Sequence, residues 1–301
     1  MFATIAGTYP PSPGPPEAAL DAVLTDQLEA GLGMVGEGVV RALTDDAAIA
    51  AAVHGWTRAG DRVGALAGER GLPAPPVKPC LRGPLSDPGA DPVTRVRAAI
   101  LALHAAGAPL VQVDEPWLTD PAAATPEGRA RAADAWAALL DGVTGHVSLA
   151  IPGGGASAIG AEALVAAPFG SYLVDLVTGP DDWRPVRRLP GDRGVILGVA
   201  DLRRTTPDDP EVIVWAVRYA ASMHGRGLAR VGVAPAAGLE HLSRETAKAR
   251  LTALAEAARI ATLPPEELVR TLDPRSIDAR SAALGRFEPP PRAPRPGPPD
   301  R

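Results

Sequence analysis

Eight short runs of β-branched and apolar residues recur between positions 2 and 234, and longer Ala/Leu-rich stretches of helical character separate them. The runs lie at 2–6, 33–36, 77–81, 109–113, 146–151, 172–177, 194–199 and 230–234. Helices are predicted at 17–30, 45–59, 92–106, 126–140, 157–166, 210–224 and 243–261, with a poorer one at 181–187. A strand that is followed by a helix before the next strand can pair with it in parallel, because the crossover returns the chain to its starting edge. Eight such units in about 250 residues predict an α/β fold, a TIM (β/α)8 barrel. A doubly wound sheet would need a glycine fingerprint after the first strand, and Gly7-Thr8-Tyr9-Pro10 is not one.

Composition narrows the setting. With 46% hydrophobic residues the chain can bury a large core without staples, and its one cysteine, Cys80, excludes an internal disulfide framework and a multi-cysteine zinc cluster. The formal net charge of −5 comes with scattered charges and no basic stripe, which argues against nucleic acid as a partner. The start, MFATIAGTYPPSPGPP, has neither a basic region nor a sustained apolar stretch, and no window approaches the roughly 18 apolar residues of a membrane span. A cytoplasmic chain with no membrane partner is expected. Residues 288–301, EPPPRAPRPGPPDR, contain seven prolines and almost nothing apolar, so a disordered tail is expected after a single barrel at 1–287.

In a barrel of this kind the reactive groups come from the C-terminal ends of strands. Ala6-Gly7-Thr8 closes the first run, Glu37 the second, and Asp114-Glu115-Pro116-Trp117 the fourth; Asp175 lies in the sixth, and Asp201 and Arg203 follow the seventh. Several carboxylates around one mouth suit an ammonium group or a cation, and they suit acid/base work because neighbouring acids push each other's pKa values apart. The competing reading of each acid is a cap on the helix that follows. Of the five histidines, His54, His104 and His224 fall on helical stretches and His146 opens the fifth run, at the end opposite the chemistry. His241 lies nearer the reactive face, as a candidate base or ligand, with an ordinary helix-start residue as its competing reading. Trp117 is a candidate pocket wall, with packing above the barrel as its alternative.

The same motifs, in this order, resemble the catalytic half of cobalamin-independent methionine synthase. TIAGTYP resembles the Ile-Gly-Ser loop that opens that barrel, GMVGEG its Gly-Glu motif, and VKPCLRGPLS its lysine-to-Gly-Pro segment. LVQVDEPWL is similar to its Gln-Ile-Asp-Glu-Pro-Ala-Leu and is the most specific match. LGVADLRRTTPDDPEVI and VGVAPAAGLEHL are similar to its last two motifs, so the resemblance spans residues 3 to about 260. It implies a homocysteine-like substrate held against Ala6, Gly7 and Thr8, with its amino group near Glu37 and Asp114. It also implies zinc, bound by a His-x-Cys pair, a Glu and a final Cys. At those positions this chain has Ala150, Pro152, Asp175 and Ala237, so Asp175 is the only remnant ligand, and Arg203 stands near the place of the family's catalytic histidine.

Three functions remain open on the sequence. The first is one-carbon transfer to homocysteine or a similar thiol, with Asp114, Glu115, Asp201 and His241 as catalytic candidates and Ala6, Gly7, Thr8, Glu37, Asp114 and Trp117 around the substrate. Its methyl donor would be a methyl-folate or a methyl-corrinoid, the latter carried by a corrinoid protein. The second is a non-catalytic amino-acid-binding barrel. The third is a metal-free acid/base enzyme using the mouth carboxylates.

Overall fold

A computed structural model describes residues 1–272, apart from 88, 157 and 205–207. Nine short strands run in parallel: β1 (Phe2–Ala3), β2 (Val35–Gly36), β3 (Val77–Lys78), β4 (Cys80–Arg82), β5 (Val111–Asp114), β6 (Val147–Ile151), β7 (Ser171–Asp175), β8 (Gly194–Ala200) and β9 (Val231–Pro235). Seven form one curled sheet in the order β1-β9-β8-β7-β6-β5-β4, and β2 pairs with β3. Pro79 divides what the sequence presents as one strand at 77–81, because proline has no N–H for the ladder. β3 then pairs backwards with β2, and β4 pairs forwards with β5. Hydrogen bonds from Met34 N to Ala3 O (3.3 Å) and from Arg41 N to Cys80 O (2.9 Å) join the remaining edges, closing an eight-sided ring.

Helices α1 (Pro16–Glu29), α2 (Asp46–Glu69), α3 (Pro92–Ala105), α4 (Pro126–Leu140), α5 (Ala161–Ala166), α6 (Trp183–Arg188), α7 (Pro210–Ser222), α8 (Arg244–Ala261) and α9 (Pro265–Thr271) alternate with the strands and cover them. Proline opens α1, α3, α4, α7 and α9 in the first turn, where its missing N–H costs nothing. Helix α2 runs ten residues beyond the predicted 45–59. It continues through Gly60, Gly64 and Gly68 because Val63, Leu66 and Ala67 are buried, and that packing outweighs the weak helix propensity of glycine. Helix α5 is shorter than the predicted 157–166, since the chain reaches it through Gly160 at φ +94°.

The core has two compartments. The larger lies between strands and helices, where Leu24, Val63, Ile100, Trp136 and Leu254 pack on Val113, Leu149 and Leu197. The smaller is the barrel interior, made by Ala6, Ala150, Leu173, Ile196 and Ala234 with Phe2 against them. The register pairs Ala150 with Leu173 and Leu173 with Ile196, so these side chains share one layer. Alternation along the strands then fixes which neighbours also face inwards. Among the described residues no helix is long and apolar enough to cross a membrane. The expected tail at 288–301 lies outside the described residues.

Candidate functional site

The inward positions of β3, β4 and β5 carry polar groups in a mostly apolar barrel. Lys78 is fully buried, and its Nζ donates to the Ile5 carbonyl (2.7 Å) and to Gln112 Oε1. With that oxygen occupied, Gln112 Nε2 uses its two protons on the Ala6 carbonyl (2.8 Å) and on Asp114 Oδ1 (2.7 Å). The result is a continuous chain, Lys78 to Gln112 to Asp114, in which every amide atom has a partner. Burial pushes the Lys78 ammonium below its usual range. It pushes the Asp114 carboxyl up to about 7, against the opposing pull of Gln112, Lys78 and Arg82. Asp114 is therefore poised to change charge near neutral pH.

Asp114 opens into a cavity of about 160 Å³ at the C-terminal mouth, lined also by Ala6, Thr8, Arg82, Pro152 and Glu240. Arg82 is exposed, and its guanidinium makes no hydrogen bond or ion pair with any described residue. Thr8 Oγ1 donates to Glu240, a contact that Gly238 permits because a Cβ there would overlap both side chains. Gly7, at φ +152°, lies close beside the Asp114 carboxyl. A Cβ on it would stand 2.8 Å from Asp114 Oδ2 and from Val40, so only glycine lets the carboxylate approach the loop. One free cation and two carboxylates around a small cavity are complementary to a zwitterion.

Several residues singled out in the sequence lie elsewhere. Glu37 does not share the Asp114 cavity; Arg41 holds it through Nε (3.1 Å) and Nη2 (2.8 Å), beside a separate cleft near Tyr9. Glu115 follows Asp114 directly, and adjacent strand residues point to opposite faces. Its carboxylate accepts from Leu85 N (2.9 Å) and Ser86 Oγ (2.7 Å), tying down the loop after β4, and burial raises it to about 7. Trp117 stacks under Arg131, whose guanidinium carbon is 4.9 Å from its ring, and does not line the cavity. Asp201 is locked to Arg203 (2.9 and 3.1 Å), which holds its carboxyl below the usual range, on a second cavity of about 240 Å³. His241 is 82% exposed with Nε2 3.5 Å from Glu240 Oε1, and it too is absent from the lining.

The zinc site implied by the resemblance does not fit these residues. Ala150 is sealed in the barrel interior, Pro152 contributes only a ring to the cavity, and Ala237 has no donor atom. Asp175 uses Oδ1 to accept from Val177 N (2.9 Å) and Thr178 N (2.8 Å), ending β7 in a turn, while its buried Oδ2 has no partner among the described residues. Among those residues no group of three or more His, Cys, Asp or Glu side chains is placed to hold a metal. Cys80 is buried, and burial pushes its thiol up to about 12, so it offers no thiolate.

A scan of protein-family models returned no match, and a search of curated proteins returned none. Solved structures do match. A B12-independent methionine synthase from Shewanella sp. W3-18-1, in complex with selenomethionine, superposes with a TM-score of 0.64 at 14% identity, over 90% of this chain and 99% of that one. A methyltransferase from Methanosarcina mazei follows with 0.57 at 13% identity, over 85% and 93%. The fold is a TIM barrel. At such identities the likeness shows the architecture, and the chemistry has to be argued from the mouth itself.

Four residues of that mouth were not picked out from the sequence: Lys78, Arg82, Gln112 and Glu240. A lysine and a glutamine inside otherwise apolar strands were the available signal, since a buried polar side chain must find partners.

Proposed function

We propose that this barrel is an S-methyltransferase-type enzyme that transfers a one-carbon group to homocysteine or a similar amino-acid thiol. The observation that carries the reading is the free guanidinium of Arg82 beside the buried carboxyl of Asp114 on one cavity of about 160 Å³. Arg82 takes the α-carboxylate, and Asp114, ionised by the approaching cation, takes the α-ammonium. Thr8 and Glu240 hold each other on the facing rim, so the Thr8 hydroxyl is already engaged there. The ordered motifs and the likeness of the barrel to methionine synthase and methyltransferase structures support the reaction class. Activation of the thiol here would not follow the family's zinc-thiolate route, because three of the four ligand positions carry no donor atom and Asp175 alone cannot hold the metal.

The test is methyl transfer from isotopically labelled methyl-folate and from a methyl-corrinoid to homocysteine, with product followed by mass spectrometry. Labelled methionine formed by the wild type and lost in Arg82→Gln supports the reading. Tight homocysteine binding without turnover on either donor would make this an amino-acid-binding barrel. A second reading, a metal-free acid/base enzyme, is favoured by the carboxyl near 7. It predicts exchange of the amino acid's α-proton with deuterated solvent, a reaction that methyl transfer does not require.

A further inference from the structure

The opposite, N-terminal end of the barrel is not filled. Barrel interiors are ordinarily packed by layers of bulky branched side chains. Here the inward positions toward this end include Ser171 on β7, Gly194 on β8 and Gly232 on β9, with the Phe2 ring of β1 against Gly232. The missing volume opens as a cavity of about 600 Å³, against 160 Å³ at the mouth. The glycines are constrained. A Cβ on Gly194 would stand 2.8 Å from Ser171 Cβ, one on Gly232 would stand 2.8 Å from the Phe2 ring, and one on Gly170 would stand 2.9 Å from the His146 ring. Any larger residue there would shift the side chains that shape the floor.

Its chemistry is divided between body and rim. Phe2, Met34, Leu110 and Ile196 supply apolar wall. Ser171 is 4% exposed, and its Oγ meets His146 Nε2 at 2.8 Å. Burial, with His104 nearby, holds His146 below its usual range, so the pair is an uncharged hydrogen-bonding group at neutral pH. The charged lining residues are Asp192, Arg193 and Arg230. Arg193 is engaged with the Phe169 carbonyl, whereas Arg230 is exposed and makes no hydrogen bond or ion pair with any described residue. An apolar body under a net cationic rim is complementary to an amphipathic anion.

We propose that the barrel floor is a second ligand site, for a small aryl or alkyl carboxylate whose charge meets Arg230 and whose body lies against Phe2 and Ile196. A volume of about 600 Å³ is within the ordinary range for small-molecule sites. The floor lies about 13 Å from the mouth along β7, so its occupant is distinct from the amino acid proposed there.

Calorimetry with decanoate, 4-phenylbutyrate and the uncharged 4-phenylbutanamide tests this on the full chain. Ala229 and Arg230 are exposed lining residues, so Ala229→Trp and Arg230→Glu alter the site without touching the core. At least one carboxylate should bind the wild type, and the amide should bind about tenfold more weakly than 4-phenylbutyrate. Arg230→Glu should cost about tenfold or more and Ala229→Trp should abolish binding, while Asp114→Asn leaves it unchanged. Failure of both carboxylates to bind, equal affinity for acid and amide, or indifference to both floor variants would overturn the proposal.

Discussion

Replacing Asp114 by Asn should stabilise the folded protein at pH 8 even though it damages the site. Burial is the main reason that this carboxyl titrates at about 7 instead of 3.8. An acid whose folded value is raised holds its proton more tightly in the folded chain than in the unfolded one. Below about pH 4 both states are protonated and the group is neutral toward stability. As pH climbs from about 4 to 7 the unfolded chain ionises first, so stability falls, and above 7 the loss is complete. A displacement of about three pH units corresponds to about 4 kcal/mol. Asparagine removes that penalty and can still accept from Gln112 Nε2, but its amide nitrogen must sit near Gly7 and Val40 without an acceptor there, a cost that does not depend on pH. A net gain of about 1–3 kcal/mol at pH 8 remains, and it gives way to a net loss of similar size near pH 4, where the wild-type penalty is absent. Glu115 is raised mainly by its own burial, with a smaller push from Asp114, and is present in both proteins, so most of its contribution cancels in the comparison. Urea unfolding of wild type and variant at pH 4.5 and pH 8 reads the effect. A variant less stable than wild type at pH 8, or a difference that does not change with pH, would refute the reasoning.

Lys78→Met strips the donor from two buried acceptors, Ile5 O and Gln112 Oε1, and should cost about 2–5 kcal/mol in urea unfolding. Carbon-13 NMR should show the Asp114 carboxyl titrating higher in that variant, because an attractive charge and a fixed amide are gone. Glu115→Ala leaves Leu85 N and Ser86 Oγ without their acceptor, so it should lower stability by about 2–4 kcal/mol while the folded variant keeps its amino-acid affinity. Protein purified without added metal should hold far less than one zinc per chain by elemental analysis, since three of the four ligand positions carry no donor atom. Stoichiometric zinc surviving dialysis against a chelator would mean that other side chains form the site.

The architecture was legible because the alternation of short apolar runs with alanine-rich helices is a long-range pattern that tolerates errors at element ends. Those ends moved where local geometry intervened: Pro79 broke a strand, and the Asp175 carboxylate ended β7 by accepting from Val177 and Thr178. The site was legible only in part. Ala6, Gly7, Thr8 and Asp114 were singled out from strand ends and motif order, and the structure places them beside one another. Asp114 and Glu115 read as one acidic pair in the sequence, yet the pleat sends them to opposite sides of the sheet. Both faces of a barrel strand are buried, so hydropathy alone could not say that Lys78, Arg82 and Gln112 share the inward face with Asp114. Glu37 was assigned to the substrate, and the structure gives it instead to Arg41, four residues along, an ion pair that depends on how the chain turns after β2.

The central claim, that the mouth reads both charges of an α-amino acid through Arg82 and Asp114, is tested most directly by titration calorimetry with L-homocysteine and two analogues, one lacking the carboxylate and one lacking the amino group. The account predicts binding of homocysteine by the wild type and losses of about 1–3 kcal/mol in Arg82→Gln and in Asp114→Asn. Removing the carboxylate from the ligand should cost nothing further in Arg82→Gln, and removing the amino group nothing further in Asp114→Asn. Equal affinity of wild type and both variants for homocysteine, or analogues that bind the wild type as tightly as the parent amino acid, would contradict it.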